Sequence, residues 1–265
     1  MILETLSGFL DIDGVALEYR RVRAARAGLP TLVFLHEGLG CVAIWKDFPD
    51  RLAAATGCGA LIYSRRGYGR SSPVVLPRST GYLHEEADGV LPRLLDQLGL
   101  TDVVLVGHSD GASIALLAAS GPAAPRVRAA IAEAPHVFVE DVTIAGIQAA
   151  RAVYEDGLRE RLKRLHGDNV DGAFWGWNDT WLTEEFRLWN IEDRLPAIRA
   201  PFLVIQGVDD EYATAAQYDA IAAQSGGPVS LLVLDSCGHT PHRDQGDVVL
   251  QAMVDFLRKV AGLAG

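Results

Sequence analysis

Apolar positions along the chain fall into short consecutive runs separated by helical stripes. Six short runs, 31–35, 60–63, 103–106, 127–132, 202–205 and 229–234, are predominantly apolar, the pattern of strands buried on both faces. Ahead of them, segments 9–12 and 15–22 flank Asp13-Gly14, a hairpin signal that predicts an opening antiparallel pair. Val249, Met253, Phe256, Leu257 and Val260 form one stripe and predict a closing helix. Val90, Leu91, Leu94, Leu95 and Leu98 form another, which Gly89 and Pro92 should start near residue 90 or kink. Strand and helix alternating at this spacing imply right-handed crossovers. The fold class is α/β: a mostly parallel sheet with helices on both faces.

One stretch breaks the alternation. Residues 137–199 hold no strand-like run, but carry a helical stripe of Ile147, Tyr154, Leu158, Leu162 and Leu165. A tryptophan-rich segment follows, with Phe174, Trp175, Trp177, Trp181, Phe186 and Trp189. An insertion of this size between two sheet strands predicts a helical cap over one edge of the sheet. Residues 1–136 and 200–265 then form the core of a single-domain fold.

Composition narrows the function classes. The 265 residues are 49% hydrophobic and 22% charged, enough for one sizeable core and unlike a disordered chain. With 24 basic against 34 acidic residues the formal charge is −10, which argues against a nucleic-acid surface. The basic run Arg20, Arg21, Arg23 and Arg26 reads as a solvated face. Cys41, Cys58 and Cys237 are odd in number and lack C-x-x-C spacing, so neither a disulfide framework nor a zinc site is expected. No apolar run reaches the ~18 residues of a membrane span, and the first residues lack a signal-peptide pattern. A soluble, cytoplasmic protein is expected, without metal, nucleic acid or membrane; a homodimer is compatible with the composition.

The chemistry concentrates in Gly107-His108-Ser109-Asp110-Gly111, between the run 103–106 and a helical pattern beginning at Ala112. A serine in such a strand-to-helix turn is held strained, with its hydroxyl projecting above the sheet. A hydroxyl at neutral pH needs a base, and the base needs an orienting acid. His239 follows the run 229–234, at the sheet edge where Ser109 emerges. His242 is its rival but reads as a polar loop or helix-start residue. His36 and His108 read as backbone-bonding and structural; His84, His136 and His166 have no evident partner. Asp210, after the run 202–205, is the acid, with Asp209 and Glu211 as neighbours. The nucleophile–acid–base order Ser109, Asp210, His239 suits such a sheet. Two amides should face the oxyanion: that of Asp110, and that of Gly38 in the turn His36-Glu37-Gly38-Leu39-Gly40. Glu37, Trp175 and Trp177 are the expected pocket residues.

Together with Tyr63-Ser64-Arg65-Arg66-Gly67-Tyr68-Gly69-Arg70-Ser71, these motifs resemble the α/β-hydrolase superfamily across nearly the whole chain. The capped carboxylesterase, lactonase and C–C hydrolase branch is closest in layout. The resemblance implies an eight-stranded sheet, a cap inserted after the sixth strand, and hydrolysis of an ester, thioester or lactone without a cofactor. It equally allows a C–C hydrolase of vinylogous diketones on the same triad, or a non-catalytic ligand receptor. Glu37 and Asp110 depart from the pattern, since both bring negative charge towards an oxyanion unless they point away or are paired. Gly38-x-Gly40-x-x-Ala43 also fits a dinucleotide fingerprint, with Arg65 and Arg66 for a 2′-phosphate, but that reading explains neither the serine turn nor Gly238-His239.

Overall fold

The computed structural model describes residues 4–262. Eight strands, β1 Thr5–Ile12, β2 Val15–Val22, β3 Thr31–Leu35, β4 Gly59–Tyr63, β5 Val103–His108, β6 Val127–Glu133, β7 Phe202–Gly207 and β8 Val229–Leu234, form one sheet in the order β1-β2-β4-β3-β5-β6-β7-β8. The hairpin β1–β2 and the pair β2–β4 are antiparallel; every other pair is parallel. Strand order reverses between β3 and β5, so their carboxyl ends flank the crevice where sheets of this kind bind ligands. Both strands lead into the motifs singled out above.

The helices are α1 Phe48–Thr56, α2 Tyr82–His84, α3 Leu91–Gln97, α4 Asp110–Ser120, α5 Asp141–Ala152, α6 Arg159–His166, α7 Val170–Trp181, α8 Ala215–Gln224, α9 Pro241–Asp244 and α10 Gly246–Ala261. Side chains alternate along each strand, so the central strands feed two cores. On one face Leu32, Phe34, Ile62, Val104 and Ile131 meet Phe48 and Leu52 of α1 and Val249, Met253 and Leu257 of α10. On the other, Val33, Leu35, Leu61, Leu105 and Val204 meet Leu94, Leu95, Ile114, Leu117 and Ile221. Truncating any of these large aliphatic residues to alanine typically costs about 2–5 kcal/mol.

Three details differ from the pattern read along the chain. The stripe from Ile147 to Leu165 is two helices: α5 ends at Ala152, and Asp156 and Gly157 leave helical geometry, Gly157 at φ 97°. A π-helical segment, Glu85–Val90, runs into α3 at Leu91 without leaving helical geometry, and Pro92 sits just past that junction. Strand β8 is not buried on both faces, because it is the last strand of the sheet; Leu231 and Val233 are exposed. The three cysteines are free and buried. Among the described residues no helix is long and apolar enough to cross a membrane.

Candidate active site

The turn from β5 into α4 holds Ser109 at φ 53° and ψ −117°, a conformation costly for a residue with a side chain. Its neighbours allow the turn. A Cβ on Gly107 would fall 2.2 Å from the Gly111 carbonyl oxygen, and one on Gly111 would fall 1.9 Å from that of Leu35. Only glycine lets α4 close onto β3 and β5 at this distance. The Ser109 amide donates to the Glu133 carbonyl at 2.9 Å, tying the turn to β6.

The turn delivers the hydroxyl to an imidazole. Ser109 Oγ lies 2.9 Å from His239 Nε2. His239 Nδ1 lies 2.8 Å and 2.9 Å from the two carboxylate oxygens of Asp210. Asp210 is held in turn by Gln206 Nε2 at 2.6 Å and by the amides of Tyr212 and Ala213 at 2.7 Å and 3.2 Å. Burial pushes the Asp210 carboxyl up, but His239 and the Tyr212 amide outweigh it and leave the group below its ordinary range. It stays an anion at neutral pH. Glu211 accepts from the His239 amide at 3.3 Å instead of meeting the ring.

Gly38 and Asp110 lie on the cavity that contains Ser109, and neither backbone N–H has a partner among the described residues. The unspent Asp110 amide, at the start of α4, favours developing negative charge. The two acidic side chains beside them are disposed of differently. Asp110 is buried and accepts from the Tyr82 hydroxyl at 2.5 Å, with Arg65 at 3.5 Å; Trp181 Nε1 donates to the same Tyr82 oxygen at 2.9 Å. Burial raises the Asp110 carboxyl against the pull of Arg65 and Tyr82. Glu37 turns towards His108, whose Nδ1 is 3.8 Å away. Burial opposes its ionisation, yet His108 and His36 together hold its carboxyl down at about 2.

The cavity measures about 150 Å³ and is lined by Glu37, Gly38, Leu39, Ser109, Asp110, His136, Thr143, Ile147, Trp177, Trp181, Tyr212 and His239. Trp177 is there, its indole so close to Gly38 that a Cβ would fall 2.3 Å from Nε1. Trp175 is not. It packs on Tyr154 and Phe174 under the Arg151 guanidinium. Residues two apart on α7 point about 200° apart, so both could not face one pocket.

The remaining histidines sort by partner. His36 Nδ1 donates to the Glu37 carbonyl at 2.7 Å while Nε2 accepts from the Arg65 amide at 3.0 Å. His108 Nε2 donates to the carbonyl of His239 at 2.6 Å, fixing the backbone at that residue. His166 donates to the Leu39 carbonyl at 2.8 Å and accepts from the Gly69 amide at 2.9 Å, strapping α6 to the turn after β3. His242 meets Glu133 at 3.0 Å rather than Ser109.

Sequence reasoning missed Glu133, Tyr82, Thr143, Tyr212 and the place of His136 in the cavity. Only Glu133 left a signal, as a carboxylate at the end of a fully buried run. His136 is 2% exposed, and burial together with nearby His239 pushes its imidazole down to about 3. Between pH 6.5 and about 3 the unfolded chain therefore binds a proton that the folded chain refuses, and stability falls as pH drops through that window. By pH 4.5 this site alone should cost about 2–3 kcal/mol. Urea unfolding of His136→Leu at pH 4.5 and 7.5 should show a correspondingly smaller acid loss than the parent; parallel pH curves would contradict the assignment.

A profile of the Alpha/beta hydrolase family matches residues 32–252. The chain is 37% identical over 93 residues to the sn-1-specific diacylglycerol lipase ABHD11 of Mus musculus, covering 35% of this chain and 29% of that protein. The match thus spans under a third of the lipase. The chain is 26% identical over 262 residues to the 2-hydroxy-6-oxononadienedioate/2-hydroxy-6-oxononatrienedioate hydrolase 2 of Pseudomonas putida, covering 87% of this chain and 88% of that one. The crystal structure of the enol-lactonase from Burkholderia xenovorans LB400 superposes with a TM-score of 0.71 at 22% identity, covering 94% of this chain and 99% of that chain. Sheet order, serine turn and profile agree, and the chain belongs to the alpha/beta hydrolase family.

Proposed function

We propose that the protein is a serine hydrolase that cleaves a small, uncharged carboxylic ester, thioester or lactone through an acyl-enzyme. The observation that carries this reading is the relay Ser109 Oγ to His239 Nε2 at 2.9 Å and His239 Nδ1 to Asp210 at 2.8 Å. Ser109 attacks the substrate carbonyl while His239 takes its proton, and the Asp210 carboxylate stabilises the imidazolium. The amides of Gly38 and Asp110 receive the oxyanion, each worth about 3 kcal/mol in the transition state. His239 then protonates the leaving group and activates the water that releases the acid. The helices between β6 and β7 act as a cap, with Trp177 and Trp181 closing the pocket.

Charge argues for the uncharged substrate. No lysine or arginine lines the cavity among the described residues, while Glu37 lines it as an anion. A second reading, C–C cleavage, is supported by the likeness to the Pseudomonas putida hydrolase, whose name describes a dicarboxylate. An anionic acyl group would meet Glu37 with no counter-charge on the cavity wall, at a cost of about 1–2 kcal/mol for partly screened like charges. Purified protein should therefore hydrolyse p-nitrophenyl butyrate about tenfold better in kcat/KM than the hemisuccinate, with the gap narrowing in Glu37→Gln. Preference for the hemisuccinate, or selective cleavage of a carboxylated vinylogous diketone, would replace this reading with the C–C one.

A further inference from the structure

The side chains of Glu37, Asp110, Thr143, Tyr212 and His136 are polar and line the cavity beside Ser109 without a part in the mechanism. Of these, His136 alone is fully buried, not acidic and without a side-chain partner among the described residues. His136 follows β6, and its backbone is tied to Ser113, whose hydroxyl donates to the His136 carbonyl at 2.6 Å. Its ring packs edge-on against Trp181 at 5.4 Å and lies 5.8 Å from the ring of His239. The side chain is buried, yet neither ring nitrogen has a hydrogen-bond partner among the described residues, and Nδ1 is fully enclosed. Buried polar groups without partners are uncommon because each forfeits its bonds to water. The other histidines around the site are satisfied: His36, His108, His166 and His242 all pair with carbonyls, amides or a carboxylate.

The surroundings limit what could satisfy His136. Thr143 in the lining gives its hydroxyl proton to the Tyr212 carbonyl at 2.6 Å and makes no bond to His136. Leu39, Ile147, Trp177 and Trp181 offer no free acceptor. The ring is neutral, because burial and His239 disfavour its protonation, so it offers one N–H donor and one acceptor nitrogen. With Nδ1 enclosed, a ligand meets Nε2, which donates in one tautomer and accepts in the other; a hydroxyl suits either, because it can both give and accept a hydrogen bond. A carboxylate gains no charge pairing there and meets Glu37.

Resting on the serine-hydrolase reading, we propose that His136 is a specificity-determining residue that hydrogen-bonds a hydroxyl carried near the scissile carbonyl, so that hydroxylated acyl groups are preferred over plain alkyl ones. A pocket built around an unspent polar group rejects an analogue lacking its partner more strongly than an apolar pocket rejects a missing methylene.

The test compares neutral ligands differing by one hydroxyl. Binding of butyramide, 2-hydroxybutyramide and 3-hydroxybutyramide is read from quenching of tryptophan fluorescence, which needs no turnover. Hydrolysis of the matching phenyl esters is read as kcat/KM. At least one hydroxylated ligand should bind about tenfold tighter than butyramide, and its ester should show a similar advantage. His136→Phe should erase both preferences while Ser109 still takes up a fluorophosphonate label, which shows that the site is assembled. His136→Gln, which keeps a donor and an acceptor, should retain most of the preference. Equal binding of the three amides by the parent, or a hydroxyl preference that survives in His136→Phe, overturns the proposal. Hydroxyl-selective binding without labelling of Ser109 would instead remove the hydrolase reading and leave His136 as the recognition group.

Discussion

Ser109→Ala should lose ester hydrolysis by a factor of about 10⁵ in kcat while keeping its fold. The hydroxyl is the atom that forms the acyl bond, and His239 has no other nucleophile within hydrogen-bond reach among the described residues. What remains after such a change is catalysis by the oxyanion amides and substrate binding alone, typically about 10³–10⁴ over water. The side chain is small, so the loss should come without a large change in stability. Circular dichroism and a urea midpoint near the parent value make the kinetic result interpretable. Retention of more than a few per cent of the parental kcat on p-nitrophenyl butyrate would place the reaction elsewhere.

Asp210→Asn should cost about 10⁴ in kcat, nearly as much, for a different reason. The carboxylate accepts a hydrogen bond from His239 Nδ1–H, which leaves Nε2 free to accept from Ser109. An asparagine can turn its NH₂ towards Nδ1, because its oxygen is wanted by the amides of Tyr212 and Ala213. The imidazole then carries its proton on Nε2 and cannot serve as base. Substrate contacts are untouched, so KM should move little. A loss under tenfold would mean that Glu211, already bonded to the His239 amide, supplies the acid.

The serine turn was legible because a strand, two glycines and a helix start are consecutive in the chain, and their sterics are local. The order of Ser109, Asp210 and His239 was legible because each follows an apolar run whose carboxyl end a parallel sheet brings to one edge. What pairs Asp110 was not. Tyr82 and Arg65 lie 28 and 45 residues before it, and no pattern along the chain announces that contact. The split of the 147–165 stripe had a visible cause in Asp156-Gly157, which apolar spacing alone overrode. The error over Trp175 came from counting aromatic residues instead of turning them through 100° per position. The apolar composition of β8 concealed its exposure, because hydrophobic runs report strand tendency and not a strand's place in the sheet.

The central claim is that the hydroxyl of residue 109 is made nucleophilic by the imidazole of residue 239. Reaction with a fluorophosphonate at pH 8, followed by peptide mass spectrometry, reports that activation without any knowledge of the natural substrate. A single adduct on the Ser109 peptide, formed at least about a hundredfold more slowly in His239→Ala, is the predicted result. An adduct on another serine, or equal labelling rates in the two proteins, would contradict it.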